Sequence, residues 1–83
     1  MSESKDINIQ YFALFRELSG QAHEQLQTSA RTAAELYEGL AEKYGFKLKP
    51  AGIRVAVNED FKGMDYVLKH GDSVVFIPPV SGG

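Results

Sequence analysis

A single amphipathic helix with strand-like segments on both sides is the feature that most constrains the fold. Thr32 and Glu35 have the spacing of a capping box, in which the two side chains satisfy free amides of the first helical turn. Gly45 is placed to end the helix as a left-handed cap. Between them, apolar residues recur at helical spacing: Ala33, Leu36, Tyr37, Leu40, Ala41 and Tyr44. We therefore expect one helix whose continuous apolar face packs against a sheet.

The segments around this helix have the composition and alternation of strands. Residues 7–13 and 53–58 alternate with period two, and residues 23–28 are a weaker candidate that would form a hairpin with the first strand. Residues 73–77 are apolar without alternation, which is typical of a central strand covered on both faces. The order of elements predicts an α+β, β-grasp (ubiquitin-like) fold, in which one main helix packs on a mixed sheet.

The connecting segments carry turn signals. Residues 14–20 have a short helix-like apolar spacing that ends at glycine, which predicts one turn or a loop. We expect a turn at residues 59–63, a short apolar element at residues 66–68 and a tight turn at residues 70–72.

Composition limits the domain organisation and the partners. A chain of 83 residues with 43% hydrophobic and 24% charged residues predicts one globular domain, residues 1–83. Its nine Lys and Arg are scattered and its net charge is -2, which argues against nucleic acid. Without an apolar run of about 20 residues or a signal peptide, we expect no membrane association and a cytoplasmic protein. His23 and His70 lack further ligands at metal-binding spacing, so we expect no metal site.

The C-terminal tail, residues 78–83, carries the candidate chemistry. Pro78 and Pro79 hold the chain extended as it leaves the last strand, and the tail could span roughly 20 Å. Val80, Ser81, Gly82 and Gly83 complete it, and the two glycines have no Cβ, so this end could thread a narrow channel in another protein. An isolated Gly-Gly end is more often an idle tail. Here it follows a central strand and a rigid proline pair, so the terminal carboxylate of Gly83 is the predicted reacting group.

A carboxylate reacts with a nucleophile only after its charge is masked, commonly by adenylation with ATP. The chain has no GxxxxGK phosphate loop, so we expect it to bind no cofactor itself and a partner enzyme to hold the ATP. A sulfur donor that attacked the acyl adenylate would leave a thiocarboxylate on Gly83. Since the chain has no cysteine, sulfur could not be carried on a side-chain thiol.

Three segments resemble the small-subunit family of molybdopterin synthase, the MoaD family of sulfur carriers. Residues 71–83, with the sequence GDSVVFIPPVSGG, are similar to the family ending GD-x-V-x-x-x-PPV-x-GG. Residues 12–20, with the sequence FALFRELSG, are similar to its FA-x-x-RE-x-x-G segment, and residues 55–58 match its third strand and the Asn that begins the next turn. The resemblance covers nearly the whole chain.

This resemblance implies a cycle between two partners. An E1-like enzyme would adenylate Gly83, sulfur would replace the adenylate, and the tail would enter the large subunit of molybdopterin synthase. There the thiocarboxylate would supply dithiolene sulfur to the pterin precursor. The resemblance places the catalytic residues in the large subunit, so this chain would be a non-catalytic, sulfur-donating subunit of a heterotetramer with two small and two large subunits.

Docking needs a surface besides the tail. Phe61 lies in a polar turn where an aromatic ring is hard to bury, and Ile77 lies where the last strand meets the tail, so both could contact the partner. Local packing is the alternative for both residues, although the family pattern places partner-binding apolar residues at these positions. Arg16 could also dock a partner, or it could form a solvated ion pair with Glu17.

Three other functions stay open at this stage. A sulfur carrier of the thiazole pathway shares the fold and the Gly-Gly end, although the segment around Arg16 and the pair Pro78-Pro79 argue against it. A ubiquitin-like modifier joined to lysines through Gly83 is the second, and a β-grasp interaction module with an idle tail is the third.

Overall fold

The computed structural model describes residues 4–79, which form one five-stranded mixed sheet with a main helix on one face. The strands are β1 (Lys5–Tyr11), β2 (His23–Thr28), β3 (Arg54–Val57), β4 (Asp60–Lys62) and β5 (Ser73–Ile77). The helices are α1 (Leu14–Ser19), α2 (Ala33–Tyr44) and a short 3₁₀ helix, Pro50–Gly52. The sheet order is β2-β1-β5-β3-β4, and β1 and β5 are parallel while the other pairs are antiparallel. This is the β-grasp fold that the order of elements predicts.

The main helix α2 follows its predicted pattern. The Thr32 hydroxyl accepts from the Glu35 amide at 3.2 Å, and Gly45 ends the helix at φ 77°. The Glu35 carboxylate accepts from the amide of Arg31, the residue before the cap, rather than from an amide of the first helical turn as predicted. Carbonyls of Met64 and Tyr66 accept from the amides of Ala34 and Ala33, so the loop before β5 completes the cap.

The core lies between α2 and the sheet. The side chains of the predicted helical stripe are buried or half-buried there, and inward residues of β1, β3 and β5 face them. Alternation on the strands decides which residues enter the core. The fully or nearly buried members include Ile7, Ile9, Tyr11, Phe15, Leu36, Tyr37, Leu40, Val55, Val57, Val74 and Phe76.

Several predicted boundaries are wrong. β1 ends at Tyr11 because Ala13 has a φ of 53°, which breaks an extended strand. Of the two alternatives for residues 14–20, the helical one is correct, because Leu14–Ser19 form a short helix with Gly20 as its left-handed cap. The short element predicted at residues 66–68 contributes one isolated bridge, Thr32 to Val67. The tight turn predicted at residues 70–72 is confirmed, with Gly71 at φ 89°.

Two corrections bear on the site. The predicted turn at residues 59–63 contains β4, which pairs with β3 across a two-residue loop. β5 is central, as predicted, but the expectation that both of its faces are covered is wrong. Val74 and Phe76 are buried under α2, whereas Val75 and Ile77 are only half-buried on the opposite face.

Candidate docking face and tail root

Within residues 4–79, no helix covers the face of the sheet opposite α2, and the two halves of this face differ in chemistry. Strand alternation puts polar side chains outward on β1 and β2: Asn8, Gln10, His23 and Gln25. On β3, β4 and β5 the outward residues are mostly apolar, and we define the apolar patch as Ala56, Phe61, Val75 and Ile77. Open apolar surface is therefore concentrated on the half of the sheet that includes the central strand.

Strand register makes the apolar patch contiguous. Ala56 is the register partner of both Phe61 on β4 and Val75 on β5. Arg54 is the partner of Ile77, so a guanidinium lies beside the residue that leads into the tail. Phe61 is 67% exposed, which is high for an aromatic side chain on a strand. A rimmed apolar surface of this kind is typical of a protein-binding site.

The predicted site residues fall into three groups. Phe61 and Ile77 lie on the same open face, and Pro78 and Pro79 follow Ile77 as half-buried and exposed residues. Arg16 is exposed on α1, away from the strands of the patch. The predicted alternative for Arg16, an ion pair with Glu17, is wrong, because the one ion pair in the described part of the chain joins Lys43 to Glu24.

The reacting end lies outside the described residues. Val80, Ser81, Gly82 and Gly83 stay predictions from the sequence, as does the use of residues 78–83 as a protruding tail. The described chain ends at Pro79, just after the half-buried Ile77 and Pro78. The tail thus begins at the edge of the apolar patch.

Three residues of this region were missed by the sequence prediction. Val75 had been assigned to a doubly covered strand, and Arg54 was not singled out. Phe12 is 53% exposed and follows Tyr11, the register partner of Phe76, so it lies at the same end of the sheet as Ile77. The alternation Asn8, Gln10, Phe12 could have indicated this outward position.

A polar cluster on the helix side of the sheet has a structural role. The Glu24 carboxylate accepts from the Tyr11 hydroxyl at 2.6 Å, the Tyr44 hydroxyl at 2.7 Å and the Lys43 ammonium at 3.2 Å. Gln21 donates to the Tyr44 hydroxyl at 2.8 Å. These bonds tie β1 and β2 to the end of α2.

The electrostatics of this cluster follow from its contacts. Burial by itself would raise the pKa of Glu24, but the hydrogen bonds from Tyr11, Tyr44 and Lys43 together outweigh it and lower that pKa. Burial, and then the Glu24 carboxylate, raise the pKa of Tyr11 above its ordinary value. The carboxylate is thus held ionised and the phenol protonated, so neither group is poised for proton transfer near neutral pH.

Other side chains offer little for chemistry on the body of the domain. Residues 4–79 contain no group of three or more His, Asp or Glu that could hold a metal ion. His70 accepts a hydrogen bond from the Asp6 amide at 3.0 Å, which ties the loop before β5 to β1. None of the helices in residues 4–79 is long and apolar enough to cross a membrane.

Comparison with known proteins gives concordant matches. The model of the ThiS family matches residues 9–83. A relative from Haemophilus influenzae, named molybdopterin synthase sulfur carrier subunit, is 35% identical over 80 residues, which cover 93% of this chain and 99% of the relative.

Two solved structures are similar over almost the whole chain. The Haloferax volcanii HVO 2177 protein superposes with a TM-score of 0.80 at 26% identity, covering 96% of this chain and 88% of that one. A protein–protein complex of subunits 1 and 2 of molybdopterin-converting factor from Helicobacter pylori contains a chain that matches with a TM-score of 0.60 at 28% identity. That match covers 94% of this chain and 99% of the other.

Proposed function

Since the chain belongs to the ThiS family, we propose that it is the sulfur-carrier small subunit of a molybdopterin synthase. The 35% identity with a relative of that name, over nearly the full length of both chains, supports the assignment. The structural observation that carries it is the apolar patch beside the root of a Gly-Gly tail. A chain that docks by one surface and reacts by its terminus needs these two features next to each other.

The proposed chemistry takes place at Gly83. The carboxylate attacks the α-phosphate of ATP held by an adenylating enzyme and releases pyrophosphate. A sulfur donor then displaces AMP from the acyl adenylate and leaves a thiocarboxylate. The thiocarboxylate sulfur displaces an oxygen substituent of the pterin precursor to form a thioester, which water hydrolyses to leave the sulfur on the pterin and the carboxylate on Gly83. Two such transfers supply the two sulfur atoms of the dithiolene. This chain contributes the reacting terminus, while the partners contribute the nucleotide site and the catalytic groups.

The proposed docking surface for the large subunit is the apolar patch with Arg54 at its rim and Phe12 at the same end of the sheet. Phe61 supplies the most exposed aromatic side chain of the patch, and aromatic residues dominate the binding energy of many interfaces. The complex of subunits 1 and 2 in the Helicobacter pylori protein supports a partner of this kind. Docking here would direct Pro78 and Pro79, and the tail beyond them, toward the partner.

The thiazole-pathway carrier and the ubiquitin-like modifier would use the same terminus. The molybdopterin synthase proposal takes precedence because the relative at 35% identity carries that name. A modifier would be found joined to target lysines, whereas the proposed carrier returns with a free C-terminus after each turnover.

Deletion of Gly83 tests this proposal. We expect the truncated protein to unfold at the same temperature as the full chain, because the buried core of the described residues lies between Ile7 and Phe76. We also expect it to form no molybdopterin with the activating enzyme, the sulfur donor and the large subunit. Glu38→Gln, on the exposed face of α2, is the control and keeps full activity. Normal product formation by the truncated protein would contradict the proposal.

A further inference from the structure

The turn between β3 and β4 has a backbone that L-amino acids rarely adopt. Asn58 and Glu59 have φ angles of 52° and 73°, and they join Val57 to its register partner Asp60. A two-residue loop with both residues at positive φ is the type I′ turn, for which Asn followed by Gly is the favoured sequence. Because Glu59 has a Cβ, this conformation costs free energy. Other contacts must hold the hairpin closed.

The Asn58 residue provides those contacts with both its backbone and its side chain. Its amide donates to the Ser73 carbonyl at 2.8 Å, and its Oδ1 accepts from the Ser73 amide at 3.0 Å. Its Nδ2 donates to Asp72 Oδ1 at 3.0 Å. The turn is thereby bonded to the first residue of β5 and to the residue before it.

Asp72 is the fixed end of this connection. It is 5% exposed, and its Oδ2 accepts from the Lys69 amide at 2.8 Å. Both carboxylate oxygens therefore accept a hydrogen bond, one from the Asn58 side chain and the other from the Lys69 amide. Because Asp72 is buried, a change in Asn58 that removes its donor leaves one carboxylate oxygen of Asp72 without a partner.

The hairpin that this connection holds carries Phe61. β4 is an edge strand of three residues, and all three are exposed, so core packing does not fix its position. Its ladder with β3 and the turn at Asn58 determine where Phe61 lies relative to Val75. As the edge strand, β4 has a ladder on one side alone, so the turn contributes to holding it in place.

We propose that the pair Asn58 and Asp72 is a positioning device that holds Phe61 in place for docking, so that the apolar patch exists before the large subunit arrives. This inference rests on the proposed function, since it concerns the same docking surface. A preformed patch binds more tightly because association then loses no conformational entropy from the ordering of β4.

The bonding pattern allows a matched exchange of the two side chains. Asn58→Asp places the new carboxylate against that of Asp72. In Asp72→Asn, the new side chain has one acceptor oxygen for two donors, Asn58 Nδ2 and the Lys69 amide, so one of them faces its NH₂ group. In the double variant, the amide introduced at position 72 donates to the carboxylate introduced at position 58. It also accepts from the Lys69 amide, while the new carboxylate accepts from the Ser73 amide. The exchange therefore restores every bond with the original net charge.

Two measurements on the folded variants test the proposal. By ¹⁵N relaxation, we expect residues 60–62 to have order parameters near about 0.85 in the native protein and the double variant, and lower values in each single variant. By titration calorimetry, we expect each single variant to bind the large subunit about tenfold more weakly and the double variant to recover to within about twofold. In a Phe61→Ala background, the single changes should no longer affect affinity.

Contrary outcomes are separable. Rigid residues 60–62 and native affinity in both folded single variants would overturn the positioning role. Equal losses with and without Phe61 would also overturn it, since the pair would then act on binding by another route. If the native protein itself fails to bind the large subunit, the proposed function fails. The relaxation data and the exchange variant would in that case still decide whether the pair orders β4.

Discussion

The Glu24 carboxylate illustrates how a single polar residue joins elements that are far apart in sequence. It accepts from two tyrosines and one lysine, so β2, β1 and α2 meet at one charged group. Tyr11 and Tyr44 also contact each other edge to face at 5.9 Å between ring centroids. The cluster ties the edge strand β2 to β1 and to the end of α2.

Replacement of Glu24 by Gln should lower the free energy of unfolding by about 1–2 kcal/mol at pH 7, because charge-assisted hydrogen bonds are stronger than neutral ones. The pKa of Glu24 is lowered in the folded state, so its stabilising contribution is present above the ordinary value of 4.5. It is lost as the pH falls through the folded-state pKa. Chemical denaturation at several pH values should therefore show the native protein and Glu24→Gln converging in acid.

Glu38→Gln provides the matched control for that series, because Glu38 is exposed on α2. It should change the stability by less than about 0.5 kcal/mol at any pH. A stability gap between Glu24→Gln and the native protein that stays constant down to pH 3 would contradict the assignment of the effect to the ionised carboxylate.

Among the elements, the type I′ turn between β3 and β4 offers a direct test. Glu59→Gly should raise the free energy of unfolding by about 1 kcal/mol, because glycine adopts a φ of 73° without a Cβ penalty. Glu59→Ala removes the same charge but keeps the Cβ, so it should bring no such gain. Equal stabilisation by Gly and Ala in thermal denaturation would show that charge, rather than backbone strain, is the source.

Local signals predicted the elements whose stability is local. The Thr32 bond to the Glu35 amide and the apolar stripe of α2 depend on residues within about three turns of one another, and both were confirmed, with Gly45 as the final cap. The hairpin partner of β1 was confirmed at residues 23–28, where alternation and register agree.

Elements that depend on distant contacts were predicted incompletely: α1 as one turn or a loop, and β4 as part of a turn. α1 is too short to be stable by itself, and Phe15 holds it by packing against Tyr37 and Phe46. β4 follows a turn without glycine, and that turn is stabilised by the hydrogen bonds of Asn58 with Asp72 and Ser73. Neither set of partners is adjacent in the chain, so no local pattern contains the information.

The candidate site was predicted in part for a similar reason. Phe61 and Ile77 were singled out from their positions in a polar turn and at a strand end, and the structure places both on one open face. Their role in docking stays a prediction. Val75 was missed because its exposure depends on which face of β5 α2 covers, and an apolar run without alternation does not carry that information.

At the scale of the whole molecule, we expect the face of the sheet opposite α2 to bind the large subunit. Phe61→Ala should weaken that binding by about ten- to a hundredfold, since aromatic side chains are typical hot spots of protein interfaces. It should change the free energy of unfolding by less than about 0.5 kcal/mol, because Phe61 is 67% exposed in the free protein.

Val67→Ala is the matched control for the docking face, because Val67 is 50% exposed but lies opposite Thr32 at the start of α2. Its affinity for the large subunit, measured by the same titration, should equal that of the native protein. If Val67→Ala weakens binding as much as Phe61→Ala does, the large subunit uses a different surface.

Intact-mass spectrometry can detect whether Gly83 carries sulfur as a thiocarboxylate. The native protein would be incubated with ATP, its adenylating enzyme and a sulfur donor, and then compared with the untreated chain. The account predicts the mass change for one oxygen exchanged for one sulfur, located in the C-terminal peptide and dependent on ATP. An unchanged mass with an active adenylating enzyme and donor would contradict it.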